Sequence, residues 1–242
     1  MDDPYAHHPG LRGKIVDPES SLFRKMTQGD LVENLQAEGI RTDWFYTDEK
    51  REALRRDVLK DRHNSDLWVF GYGSLMWNPA LRFQEVRRAH VPDHARRFIL
   101  KDIYGGRGTV EVPGLMAALD LGAGCHGLTF RIQADDVEKE TEILWRRESV
   151  GPAYHARFVK AQLSDQTVDA LTFVADYAAE AIEPDMTRDQ QLEYLVTGTG
   201  AFGSSMDYIE GIAEHFEILG IDDPDVTSLL QEAQARVAAK GS

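Results

Sequence analysis

The apolar positions change rhythm along the chain. Residues 1–25 show no sustained period and are punctuated by Pro4, Pro9, Gly10, Gly13 and Pro18, which predicts a loosely packed arm. Two short helical patterns follow. Thr27 is placed to cap a helix through Leu31, Leu35 and Ala37 that stops near Gly39. Thr47 is placed to cap a second, highly charged helix through Leu54, Val58 and Leu59. Asn64-Ser65 reads as a break. The expected division is an N-terminal arm and helical extension over 1–65 and a main domain over 66–242.

The main domain opens on Asp66-Leu67-Trp68-Val69-Phe70-Gly71-Tyr72. Its aromatic and β-branched content predicts a strand, running into a tight turn at Gly73-Ser74-Leu75. Further strands are expected at 97–100, 115–119, 127–132 and 170–175, separated by glycine-rich turns at 105–108 and 122–124. Helical spacing is the stronger signal. It puts Val137, Thr141, Leu144 and Trp145 on one side of a helix over 134–147. It does the same for Met206, Ile209, Ile212, Phe216 and Leu219 over 204–219, where Ser204 and Asp207 form a capping-box-like pair. Asp223-Pro224 opens a last helix through Val226, Leu229, Leu230 and Val237. Short strands with glycine turns and flanking helices predict an α+β fold, a compact and partly closed sheet with helices outside.

Charge and composition narrow the function classes. Lys plus Arg number 27 against 41 Asp plus Glu, a net charge of 27 − 41 = −14. Such a chain repels nucleic acid and anionic membranes, so neither is expected as a partner. No apolar run reaches the roughly 18 residues of a membrane span. The start, Met1-Asp2-Asp3-Pro4, lacks the apolar stretch of a secretory signal. The single cysteine, Cys125, rules out an internal disulfide and fits a reducing cytoplasm, the expected location. Arg87, Arg88, Arg96, Arg97, Lys101 and Arg107 form a basic stretch with His90 and His94. Two readings are open there: a hold for a small anion, or ordinary solvated strand and turn residues.

Glu148 is the most informative position. Continuing the 134–147 helix by four from Leu144 reaches it, so its carboxylate is expected to face the core. An anion there costs free energy unless paired or protonated. The helix C-terminus disfavours it by a further amount of about 0.3–1 kcal/mol. Burial and dipole both push such a carboxyl upward, toward the range useful for proton transfer near neutral pH. The alternative is a helix that ends early, with Glu148 solvated or paired to Arg146 or Arg147.

Other patterns carry less. Successive N–H groups in Gly71-Tyr72-Gly73-Ser74-Leu75 can cradle an anion, although a lone G-x-G is more often an ordinary turn. Gly198-Thr199-Gly200-Ala201-Phe202-Gly203 matches G-x-G-x-x-G but follows a helical segment, 190–196, where a dinucleotide fingerprint needs a strand. It reads as a hinge between helices or a backbone-lined pocket wall. His90 and His94 have the spacing of helical zinc ligands, but Pro92 breaks such a helix and no third ligand is close. Cys125 and His126, adjacent on a strand, point to opposite faces, which argues for a buried thiol over a nucleophile pair.

Longer blocks resemble a known family. Val69-Phe70-Gly71-Tyr72-Gly73-Ser74-Leu75-Met76-Trp77-Asn78-Pro79 resembles the signature loop of the ChaC-type γ-glutamylcyclotransferases. Arg107-Gly108-Thr109 with Pro113-Gly114-Leu115-Met116 is similar to the next family block, and Leu144-Trp145-Arg146-Arg147-Glu148 with Tyr154 to the catalytic block. Gly200 through Tyr208-Ile209 and Gly220-Ile221-Asp222-Asp223 are similar to its C-terminal part, so the resemblance spans roughly 66–230. The chain departs from it at 95–99, where the family has a tryptophan and a cysteine, and at Phe202-Gly203-Ser204-Ser205. The resemblance implies a small mixed β-barrel-like fold with flanking helices. It implies that the backbone of Tyr72, Gly73, Ser74 and Leu75 holds the glutamyl α-carboxylate. Glu148 is then the acid/base, and Tyr154 a hydrogen-bonding partner of the substrate or of Glu148. The implied activity is that of a lyase acting on glutathione and releasing 5-oxoproline and Cys-Gly, with no metal and no cofactor. Other γ-glutamyl peptides or amines, and a non-enzymatic regulator, are the alternatives.

Overall fold

The structure, a computed structural model, describes residues 3–37, 39–60, 62 and 64–240. The acidic start at Met1-Asp2 lies outside the described residues. Strands β1 (Leu67–Gly71), β2 (Glu85–Val91), β3 (His94–Asp102), β4 (Gly114–Leu121), β5 (Cys125–Ile132), β6 (Tyr154–Gln162) and β7 (Thr167–Ala175) form one sheet. Its order is β1-β5-β2-β6-β7-β4-β3, and β1 also pairs in parallel with β7. That pairing closes β1, β5, β2, β6 and β7 into a barrel, while β4 and β3 continue past β7 as a flap. The expected partly closed sheet is thus a closed one with an appended pair.

Two barrel strands escape the hydrophobic pattern. In β2, Val86, Ala89 and Val91 are interrupted by Arg87 and Arg88, and Arg87 is buried against Glu85 and Asp165. In β6 the packed side changes midway: Tyr154, Ala156 and Phe158 pack on one face, Val159 and Ala161 on the other, with His155, Arg157 and Lys160 exposed, so no single period of two runs through it.

The helices are α1 (Leu22–Lys25), α2 (Gln28–Ala37), α3 (Asp48–Leu59), α4 (Val137–Glu148), α5 (Arg188–Thr197), α6 (Ser205–Leu219) and α7 (Pro224–Lys240). The expected caps form. Thr47 Oγ1 accepts from the Lys50 N–H, and Ser204 and Asp207 exchange side-chain-to-backbone bonds of 3.0 and 2.9 Å. Asp223 Oδ1 accepts from the Val226 N–H at the start of α7.

Alternation along β1 sorts the core. Leu67 and Val69 pack with Leu144 and Trp145 of α4. Phe70 joins Leu128, Phe130 and the apolar side of α6. Residues 3–25 correct the expected loose arm. Leu11 is 0% exposed, and with Ile15 it packs into the cluster that holds Ile212 and Phe216. The arm is also bonded in place: Val86 N–H donates to the Pro4 carbonyl, Arg88 N–H to His8 Nε2, and Val16 N–H to the Trp77 carbonyl. Proline and glycine report local irregularity. Burial of two well-spaced apolar residues decides whether the segment packs.

Candidate active site

β1 ends at the buried Gly71, and the chain turns inward. Tyr72 points its hydroxyl into the protein, where it donates to the Phe173 carbonyl at 2.9 Å, and its own carbonyl accepts from Arg96 Nε at 2.7 Å. Ser74–Met76 forms one 3-10 turn whose first internal bond runs from the Met76 N–H to the Gly73 carbonyl at 2.8 Å. The N–H groups of Gly73, Ser74 and Leu75 precede that bond and have no partner within the turn. A Cβ at position 73 would collide with the Tyr208 hydroxyl, so glycine is required for α6 to press this closely on the turn. Tyr208 in turn accepts from the Ala117 N–H of β4 at 3.3 Å.

α4 supplies the acid. Glu140, Leu144 and Glu148 recur every four residues and share a face. Glu140 is 0% exposed and accepts from both terminal guanidinium nitrogens of Arg24 at 2.6 and 2.8 Å, with a further bond from the Arg82 N–H. Glu148 is the last residue of the helix, with its side chain 14% exposed. It forms an ion pair with the neighbouring Arg147, and its buried Oε1 lacks a hydrogen bond of proper geometry among the described residues. The helix therefore does not end early, and the pairing with Arg147 occurs inside the protein. Arg147 Nη2 donates to Ser74 Oγ at 2.9 Å, which ties the end of α4 to the turn after β1. Burial pushes the Arg147 guanidinium down to about 10, still charged at neutral pH.

These pieces meet in one cavity of about 470 Å³, within the range of small-molecule sites. Tyr72, Gly73, Ser74, Leu75, Glu148 and Tyr154 all line it. Tyr154 stands on β6, and its hydroxyl donates to the Ala117 carbonyl at 3.4 Å. Burial pushes the phenols of Tyr72, Tyr154 and Tyr208 above their ordinary value, so all three stay protonated and none serves as a base near neutral pH. Among the described residues two carboxyls face the cavity, Glu148 and Asp102. Burial pushes Asp102 upward, but its oxygens accept the N–H groups of Tyr104 (2.9 Å) and Arg107, which commits it to shaping the 102–107 turn. Glu148 is left as the carboxyl that is not committed to a backbone turn.

Asp102 and a group from the extension line the cavity without having been singled out by the sequence, and Tyr208 is marked there only by the block it stands in. Arg107 and Arg147 stand inside blocks that the sequence does mark, one at the head of Arg107-Gly108-Thr109 and one just before Glu148. The basic stretch is mostly consumed internally. Arg87 pairs with Glu85 and Asp165, Arg96 with Asp223, and Arg97 with Asp120; Arg107 is its member in the cavity wall. The 198–203 glycine segment follows α5 and forms a small hairpin of β8 (Thr199–Gly200) and β9 (Gly203–Ser204). Ala201 and Phe202 of that hairpin face the cavity, in line with the pocket-wall reading. His90 and His94 lie on separate strands, β2 and β3, and Cys125 is buried.

The closed barrel with flanking helices is the fold of solved γ-glutamylcyclotransferases. The solved structure of a yeast γ-glutamyl cyclotransferase specific to glutathione superposes with a TM-score of 0.65 at 20% identity, covering 71% of this chain and 97% of that one. The chain belongs to the ChaC-like protein family, whose sequence profile matches residues 67–236. Among curated relatives, the glutathione-specific γ-glutamylcyclotransferase of Escherichia coli is 34% identical over 202 residues, 82% of this chain and 87% of the relative. That of Schizosaccharomyces pombe is 28% identical over 188 residues, 70% and 92% of the two chains. No helix among the described residues is long and apolar enough to cross a membrane.

Proposed function

We propose that this protein is a cytoplasmic glutathione-specific γ-glutamylcyclotransferase that releases 5-oxoproline and Cys-Gly. The observation that carries the reading is the Arg147–Ser74 bond, which brings Glu148 and the Gly73–Leu75 backbone to one cavity. The names of the relatives supply the substrate.

The reaction needs no protein nucleophile. The α-nitrogen of the glutamyl group attacks its own γ-carbonyl, a C–N bond forms, and the bond to the cysteine nitrogen breaks. The attacking nitrogen begins as an ammonium and ends as a lactam N–H, so it sheds two protons. The leaving nitrogen begins as an amide N–H and ends as an ammonium, so it gains two. No water is consumed. Glu148 is the group placed to carry protons from one nitrogen to the other. The N–H groups of Gly73, Ser74 and Leu75 hold the α-carboxylate, with the Arg147 charge beside them. Fixing the glutamyl chain in a folded shape supplies much of the rate, because the two reacting atoms belong to one molecule. Tyr154 and Tyr208, protonated and lining the cavity, offer hydroxyls to the substrate.

The test is incubation of the purified protein with glutathione in ¹⁸O-water. Equimolar, unlabelled 5-oxoproline and Cys-Gly support the reading. Labelled glutamate, or no product, overturns it.

A further inference from the structure

Residues before 67 lie outside the family profile, yet they build much of the cavity wall. Leu22, Phe23, Trp44 and Phe45 of the extension meet Tyr104 and Phe202 of the main domain there. Phe23 and Phe202 have ring centroids 4.9 Å apart, and Trp44 lies 4.2 Å from Phe45 and 4.3 Å from Tyr104. All five rings are only half-buried, and Leu22 is 68% exposed at the rim. Among the described residues, no extension side chain that lines the cavity is ionisable; the charged lining groups, Asp102, Arg107, Arg147 and Glu148, all belong to the main domain.

This wall abuts the chemistry. The Phe23 ring lies 4.7 Å from the Arg147 guanidinium carbon. Tyr46 N–H donates to the Val150 carbonyl at 2.9 Å, two residues past Glu148. Trp44 packs so closely on the same segment that a Cβ at Gly151 would come within 2.5 Å of its ring. On the reading proposed above, Glu148 must reach the leaving cysteine nitrogen. The cysteine sulfur is joined to that nitrogen through only two carbons, so the thiol sits close to Glu148 and to the aromatic wall.

We propose that the extension forms a subsite for an apolar group carried on that sulfur, and that the protein also cyclises S-alkyl and S-aryl conjugates of glutathione. The same bonds form and break, the thioether is untouched, and the second product is the S-substituted Cys-Gly. A bare thiol leaves the rings partly wetted, whereas an aryl group covers them.

The experiment compares glutathione with S-benzylglutathione as substrates of the wild-type protein and of Phe23→Ala, Trp44→Ala and Trp44→Phe, with thermal melts in parallel. Burying a benzyl group of roughly phenylalanine size predicts a KM about tenfold or more below that of glutathione. Either alanine substitution is expected to raise KM for the conjugate about tenfold more than for glutathione, and Trp44→Phe to retain most of the preference. A wild-type protein that turns over glutathione but not the conjugate overturns the inference and leaves the proposed function standing. Equal losses on both substrates in a folded variant also overturn it. No 5-oxoproline from either substrate defeats the proposed function, and the inference with it. If an alanine variant fails to fold, the wild-type comparison and Trp44→Phe decide the question.

Discussion

One wall of the cavity, built from the turn after β1 and from α4, β6 and α6, carries the acid, the guanidinium and the buried hydroxyls. The facing wall, from described residues between 16 and 45, carries hydrocarbon, aromatic rings and the Ser20 and Ser21 hydroxyls, and no charge among the described residues. The first is fixed by hydrogen bonds between secondary-structure elements, such as Arg147 to Ser74 and Ala117 to Tyr208. The second is held by a few latches at its margins: Arg24 to Glu140, Ser21 Oγ to Asn78 Oδ1, and Tyr46 to Val150. Chemistry common to a reaction needs a rigid frame. Recognition of a variable part needs only a shaped apolar surface, which irregular chain can supply.

The two walls meet most tightly at Arg24, and breaking that latch gives the largest expected effect. Arg24→Ala leaves the Glu140 carboxylate buried without its cation, and the cost is about 3–5 kcal/mol in a urea melt. Because Glu140 and Glu148 share a face of α4, turnover of glutathione falls as well. The double substitution Arg24→Met with Glu140→Leu recovers most of the stability, since it removes both charges. On the barrel side, Gly73→Ala forces the turn away from Tyr208 and is expected to lower kcat/KM about 10²-fold with a small change in melting temperature. The smallest effect concerns acid. Arg55 holds the Glu52 carboxyl down at about 2 from an ordinary 4.5. A carboxyl depressed in the folded state contributes its full stability above the unfolded value. That contribution is lost as pH falls from about 4.5 toward about 2. Glu52 is 31% exposed, so the contribution is under about 1 kcal/mol. Glu52→Gln should therefore flatten the stability profile of the extension slightly in that window, read by circular dichroism.

The legibility of the two walls follows the same division. Glu148 is readable because α4 has a helical period that a carboxylate interrupts at the next core position, and the turn is readable because glycines flank a strand end. Nothing comparable marks Phe23 or Trp44. Phe23 stands in the four-residue α1 and Trp44 in the loop between α2 and α3, where no period can build up, and their partners Phe202 and Tyr104 are far along the chain. The same limit hides the packing of Leu11 and Ile15. Barrel closure is hidden for a different reason: β6 switches its packed face between Phe158 and Val159 and carries charges on both faces, so the segment that completes the ring shows no steady alternation. The pairing of Arg147 with Glu148 is within reach of the sequence, but its bond to Ser74 lies 73 positions away and is not.

The central claim is that Glu148 moves the protons while the main-chain turn holds the ligand. Its most direct test is 5-oxoproline formation by Glu148→Gln at saturating glutathione, with binding measured calorimetrically on the same sample. The account predicts binding near that of the wild type and a turnover lower by about 10²–10⁴-fold. Turnover near the wild-type rate in that variant would contradict it.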